Sequence, residues 1–164
     1  MLKTTSGWCF RVHHGTRQQS LVDWKYAELA QFVRSAPRRS GSGYYLRTVT
    51  HPWLTEIREQ FYIGDTKVVP IDLLRRDLSD FGLAVWIMDD GAADGNQLRL
   101  NTQGFTVDET AALASLIRAK FGIEMSINLD KGKPRLRCNA ASMERLVGMV
   151  REHLVPDMLY KLSL

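Results

Sequence analysis

The 164-residue chain predicts an α+β fold, an antiparallel sheet with helices on one of its faces, on three observations. Several short segments alternate apolar and polar residues, as half-buried antiparallel strands do. Between them lie amphipathic stretches at helical spacing, punctuated by proline and glycine. The second half reads helix–strand–helix–hairpin–helix, and the first half reads as a second copy of that unit with its opening helix absent.

Taken in order, Trp8 to His14 alternates, placing Trp8, Phe10 and Val12 on one face and Cys9, Arg11 and His13 on the other. Thr16 to Ser35 reads as one amphipathic helix ending before Pro37 and an Arg/Ser/Gly loop. Tyr44 to Val49 is strand-like, Pro52 to Tyr62 a short helix, and Pro70 opens another, where its missing N–H costs little. Leu98 and Leu100 point one way; Gln97, Arg99, Asn101 and Gln103 point the other. Thr106-Val-Asp-Glu109 is a capping-box pattern that opens a helix ending near Gly122. Met125 to Leu129 and Arg135 to Asn139 form a hairpin around a polar turn, and Ala141 to Leu154 is a last amphipathic helix before the Pro156 tail.

The most informative stretch is Leu83 to Gly91, LAVWIMDDG. Leu83, Ala84, Ile87 and Met88 share one face at helical spacing, and the small Ala84 and Gly82 would let a second backbone approach closely. Asp89 and Asp90 fall at the helix C-terminus, where the dipole disfavours negative charge, so a cation should account for them. Gly91 is expected to end the helix in a left-handed turn.

Composition suits a protein with a sizeable core: hydrophobic residues make 45% and charged residues 24%, with no low-complexity tract. No apolar run approaches the roughly 20 residues of a membrane helix, and MLKTTSGW lacks the apolar stretch of a secretory signal, so an intracellular or organellar location is expected. The two cysteines, Cys9 and Cys138, read as reduced core residues. The net charge is +4, concentrated in the first half: residues 1–80 hold 12 Lys/Arg against 8 Asp/Glu, residues 81–164 hold 10 of each. That balance suits a polyanionic partner. The polar strand faces carry Arg11, His13, Arg47, Arg99, Asn101, Gln103, Ser126, Asn128, Arg135 and Arg137, the residue types that contact base edges and phosphates. The four histidines are too scattered for a zinc site.

LAVWIMDDG resembles the second motif of the LAGLIDADG homing endonucleases, and the likeness continues through KVVP (Lys67 to Pro70), LNTQGF (Leu100 to Phe105) and VPDMLYKL (Val155 to Leu162). The resemblance is to two-motif monomeric members. It implies αββαββα-type repeats whose strands form a saddle-shaped antiparallel sheet along the major groove of double-stranded DNA. It implies a first pseudo-repeat at residues 1–78, lacking its motif helix, and a second at 79–164 with the motif helix at 80–91. It further implies a divalent metal, Mg²⁺, held by Asp90 with Gly91, and catalytic roles for Asp90, Lys161, Lys67 and Gln103. Motif helices pack in pairs, so Leu83, Ala84, Ile87 and Met88 are expected to form the helix interface. The first motif and its Asp are missing. The chain is therefore expected to be a truncation of a longer nuclease; a homodimer through the 83–88 face, or a degenerate product, are the alternatives. A protein of the same fold that binds nucleic acid without cutting it, such as a maturase on intron RNA, is the other functional reading.

Overall fold

Val12 and Leu46 face each other across paired strands and, with Val22 from a neighbouring helix, form the buried centre of the N-terminal part of the chain. The computed structural model describes residues 1–164, which divide into two units, Met1–Ile63 and Gly64–Leu164. In the first, the hairpin β1 (Leu2–Thr4)–β2 (Gly7–Cys9) precedes a three-stranded antiparallel sheet. That sheet holds β3 (Arg11–Gly15), β4 (Arg38–Ser40) and β5 (Gly43–Arg47) in the order β3-β5-β4. Helix α1 (Gln19–Glu28) lies between β3 and β4, and α2 (Pro52–Phe61) follows β5.

Three expectations for this unit change. The strand expected from Trp8 to His14 breaks at Phe10, whose N–H donates to Thr48 Oγ1 and whose carbonyl accepts from Thr48 N–H, both at 2.9 Å. The break shifts the alternation, so Cys9 is buried together with Val12 while Arg11 and His13 stay exposed. The expected single helix to Ser35 is a 3-10 turn (Thr16–Gln18), α1 and a second 3-10 turn (Ala30–Phe32), ended where Val33 turns extended. Arg38 and Arg39, expected in a loop, pair with Tyr45 and Tyr44 as strand β4.

Two-residue strands β6 (Tyr62–Ile63) and β7 (Thr66–Lys67) carry the chain onward. The second unit then contains α3 (Ile71–Asp77), α4 (Asp80–Asp90), β8 (Gly91–Asp94), β9 (Gln97–Leu100), α5 (Val107–Phe121), β10 (Met125–Asp130), β11 (Lys133–Cys138) and α6 (Ala140–Val150). Its antiparallel sheet has the order β10-β11-β9-β8. Leu98, Leu100 and Leu136 are fully buried beneath the helices, as the alternation predicts. The repeat order αββαββα is complete from α4 to α6.

Residues 64–78 belong to the second compact unit because they are tied to α5. Val69 N–H donates to Glu109 at 3.0 Å, and Lys120 Nζ donates to the Arg75 carbonyl at 2.7 Å, capping α3. Glu109 has a second task. It closes the capping box at the start of α5, accepting from Thr106 N–H at 2.8 Å while Thr106 Oγ1 accepts from Glu109 N–H. At the other end Gly122 adopts the left-handed conformation (φ 67°) that only glycine reaches without strain.

These hydrogen bonds, led by that from Thr106 N–H, hold the Glu109 carboxyl below its ordinary pKa. A lowered carboxylate pKa stabilises the fold above the ordinary value, and that contribution is lost as the pH falls through the depressed one. Glu109→Ala is expected to cost about 1–2 kcal/mol in a urea titration at pH 7, more than Thr106→Ala, and to differ less from wild type below pH 4. Equal losses for the two variants would mean that the Val69 tie contributes nothing.

Candidate active site and nucleic-acid interface

Helix α4 starts under a side-chain cap, with Ser79 Oγ accepting from Gly82 N–H at 3.1 Å, and runs eleven residues to Asp90. Leu83, Ala84, Ile87 and Met88 are fully buried. They face this unit's own core: α4 packs against α6 and the two 3-10 turns that follow it, Arg151–His153 and Pro156–Leu162. Met88 Sδ accepts from Val155 N–H at 3.4 Å. These four residues therefore do not form an exposed helix interface. The side of α4 left half-exposed is Gly82, Val85, Trp86 and Asp89, one stripe at i, i+3, i+4, i+7.

The helix also ends differently from the expectation. Gly91 is not left-handed; at φ −73°, ψ 150° it passes directly into strand β8. Glycine is required there for space, since a Cβ at Gly91 would collide with the Ile87 backbone carbonyl. The tight junction places Asp90, exposed, at the point where helix becomes strand, with the Asp90 carbonyl accepting from Asn101 N–H at 3.2 Å.

Lys161 reaches this junction from the C-terminal 3-10 turn. Its side chain is only 8% exposed, and Nζ donates to the Gly91 carbonyl at 2.6 Å. Burial pushes the ammonium below the ordinary lysine value, while the carboxylates of Asp89 and Asp90 pull it back up. So the structure brings Asp89, Asp90, Gly91 and Lys161 together. It places Lys67, exposed, 5.3 Å from the centre of the Phe105 ring. Gln103 lies in the turn that follows β9, where its amide oxygen can accept from the Arg135 guanidinium.

A divalent metal would find hard oxygen donors at the junction: the Asp90 and Asp89 carboxylates and the Gly91 carbonyl, the last already engaged by Lys161. No three His, Cys, Asp or Glu side chains converge into a set that could hold a metal alone. The donors fit Mg²⁺ or a similar ion, which commonly takes one or two carboxylates and completes its shell with water and substrate phosphate.

The polar face of the second unit's sheet carries Arg99, Arg135, Arg137 and Ser126 half-exposed, with Asn128 more open; Asn101 and Gln103, expected to continue the strand, lie beyond its end at Leu100, Gln103 in a turn. Arg99 and Arg137 sit directly opposite each other on β9 and β11, and Ser126 and Asn128 oppose Arg137 and Arg135 on β10. In the first unit Arg11 opposes Arg47 and His13 opposes Tyr45, with the Arg11 guanidinium 5.1 Å from the Tyr45 ring centre. Like charges directly opposite on paired strands weaken a sheet, so two such pairs point to an anionic partner. Beside Arg47 lies a groove of about 300 Å³ that Arg34 and Arg38 also line. Both belong to the basic excess of the first half that the sequence shows before its Ser-Gly-Ser-Gly segment; the strand at Arg38 adds them to the polar surface beside Arg47. Asp94 and Asp130 were missed. Asp94 Oδ2 lies 3.4 Å from Arg137 and 3.9 Å from Arg99, and Asp130 pairs with Arg135 at 2.5 Å.

Residues 2–146 match the model of the LAGLIDADG DNA endonuclease family. The chain belongs to this family. Among curated relatives, a cytochrome b mRNA maturase bI2 of Debaryomyces hansenii is 33% identical over 118 residues, covering 71% of this chain and 45% of the maturase. A probable intron-encoded DNA endonuclease 3 of Mycosarcoma maydis is 29% identical over 125 residues, covering 73% of this chain and 92% of that protein. The homing endonuclease I-WcaI bound to its DNA recognition sequence has the same fold, with TM-score 0.88 at 22% identity, over 99% of this chain and 78% of that one.

Gly91→Ala is expected to destabilise the chain by about 1–3 kcal/mol, because the colliding atom is backbone and cannot swing aside. Thermal unfolding checks this; a melting point equal to wild type would mean that the helix-to-strand passage tolerates a Cβ.

Proposed function

We propose that this LAGLIDADG protein is a site-specific DNA endonuclease that hydrolyses phosphodiesters of double-stranded DNA at the Asp90 junction, using a divalent metal such as Mg²⁺. The observation that carries the reading is the convergence of an exposed Asp90 with a buried lysine at a helix-to-strand junction that only glycine fits. The arginine-rich sheet faces supply the polyanion-binding surface.

Asp90, with Asp89 nearby and the scissile phosphate, would hold the metal. When bound, that ion supplies Lewis-acid stabilisation of charge on the phosphate and lowers the pKa of a coordinated water. The chain's own groups set the geometry. Lys161 pins the Gly91 carbonyl, so the backbone that orients Asp90 cannot rotate away. Its ammonium also offsets the negative charge of the two neighbouring carboxylates. Lys67 offers a second, solvent-facing cation, able to neutralise charge developing on a phosphate. Gln103 acts through Arg135 on the sheet, a DNA-positioning role rather than a chemical one.

Asp90→Asn is expected to abolish cleavage of a site selected from a random plasmid library while leaving affinity for that site within a few-fold of wild type. Equal cleavage by the two would remove Asp90 from the chemistry. The likeness to an mRNA maturase favours a second reading, intron RNA binding without DNA cleavage. Tight, salt-dependent retention of a structured intron RNA, with no cleavage of any DNA in Mg²⁺, would select it.

A second motif helix, from another copy of this chain or from a preceding segment, would meet α4 along Gly82, Val85 and Trp86. If a second copy supplies it, solution mass doubles and Val85→Glu returns it to that of a monomer; a monomeric wild type would reject self-association.

A further inference from the structure

Arg99 and Arg137 form a like-charged pair directly opposite each other, and a single carboxylate oxygen, Asp94 Oδ2, lies beside both guanidinium groups. Asp94 ends the edge strand β8, two residues beyond Ala92, the residue paired with Arg99, and so projects from the same sheet face. The Nε atoms of both arginines are shut off from solvent and have no hydrogen-bond partner. Asp94 Oδ2 meets Arg137 at Nε, 3.4 Å away, and Arg99 at Nη1, 3.9 Å away, so the ion pairs orient both guanidinium groups without a full set of hydrogen bonds, and their outer donors are left for a ligand. In the first unit the corresponding Arg11–Arg47 pair has the Tyr45 ring beside it instead of an acid.

A carboxylate on a DNA-facing sheet is unfavourable for phosphate binding, which is where a loose arginine goes first. Its presence needs a gain elsewhere. A guanidinium oriented by a neighbouring carboxylate, at Nε in Arg137 and at Nη1 in Arg99, presents its outer N–H groups in one direction, the arrangement that reads O6 and N7 of guanine together. The ion pairs themselves are half-exposed, so they add little to stability.

We propose that Asp94 is a specificity-positioning residue, holding Arg99 and Arg137 away from the phosphates and aiming them at guanines on adjacent base pairs. This rests on the reading of the sheet as a DNA-binding face. Asp94 touches no DNA in this account; it acts through the two arginines.

The test is selection of bound duplexes from a randomised double-stranded DNA library by wild type, Asp94→Ala, Asp94→Glu, Arg99→Ala and Arg137→Ala, each checked for an unchanged melting profile. Wild type is expected to show a guanine preference at one or two neighbouring positions, roughly 5- to 100-fold for a bidentate arginine. Asp94→Ala should lose that preference at the positions lost in the arginine variants and keep it elsewhere. It should bind random-sequence duplex more tightly, with a salt dependence steeper by about one to two phosphate contacts, as the freed arginines turn to the backbone. Asp94→Glu should restore part of the preference. An Asp94→Ala preference identical to wild type, or one weakened evenly at all positions, overturns the proposal while leaving the DNA-binding reading intact. No retention of duplex DNA by wild type overturns both.

Discussion

The passage from α4 into β8 allows no atom beyond the glycine backbone at Gly91, and the rest of the second unit is arranged around that restriction. A helix that ended in the usual left-handed glycine turn would send the chain away from its own axis. Here the backbone stays extended, so the last helical residue, Asp90, and the first strand residue are rigidly coupled. Strand β9 then fixes the junction from the other side through the Asn101 N–H to Asp90 carbonyl bond. A carboxylate at this point inherits the stiffness of both elements, which the proposed role of positioning a metal against a phosphate would require.

Lys161 is the costly part of this arrangement. Burying an ammonium is unfavourable, and its lowered pKa records that cost. The compensation is a short hydrogen bond to a carbonyl and the attraction of two carboxylates that would otherwise face the negative end of a helix. Without the lysine, Asp89 and Asp90 would repel each other and the helix terminus. The acids at the end of α4 and the lysine near the chain's C-terminus are therefore one electrostatic unit, and neither makes sense alone.

How much of this the sequence discloses depends on the range of the forces involved. The capping box at Thr106, the left-handed Gly122, the hairpin of β10 and β11 and the Leu98/Leu100 face are all legible, because each is set within a few residues. Asp90 stands out in the sequence as an acid at a helix C-terminus that calls for a cation, whereas Lys161 stands out only through the resemblance; that they meet at Gly91 follows from long-range packing. The sense of the α4 faces was not legible. Leu83, Ala84, Ile87 and Met88 form the most apolar stripe, and the stripe's hydrophobicity does not say which neighbour covers it. The C-terminal turns do so here, leaving Gly82, Val85 and Trp86 outward. Strand β8 and Asp94 were missed because Gly-Ala-Ala-Asp carries no alternation; its strand character comes from pairing with β9.

The two sheets handle the same electrostatic problem in different ways. Each places two arginines side by side, an arrangement that weakens a free protein and strengthens once phosphates or base edges arrive. In the first unit the tyrosine ring beside Arg11 leaves the charge undiminished. In the second, Asp94 and Asp130 partly neutralise three arginines, giving up non-specific attraction. Under the proposed site-specific function both behaviours are needed, because attraction alone retains a protein everywhere and discrimination alone slows the search. On this view the acids on the second sheet, which lower affinity, make discrimination between sequences larger.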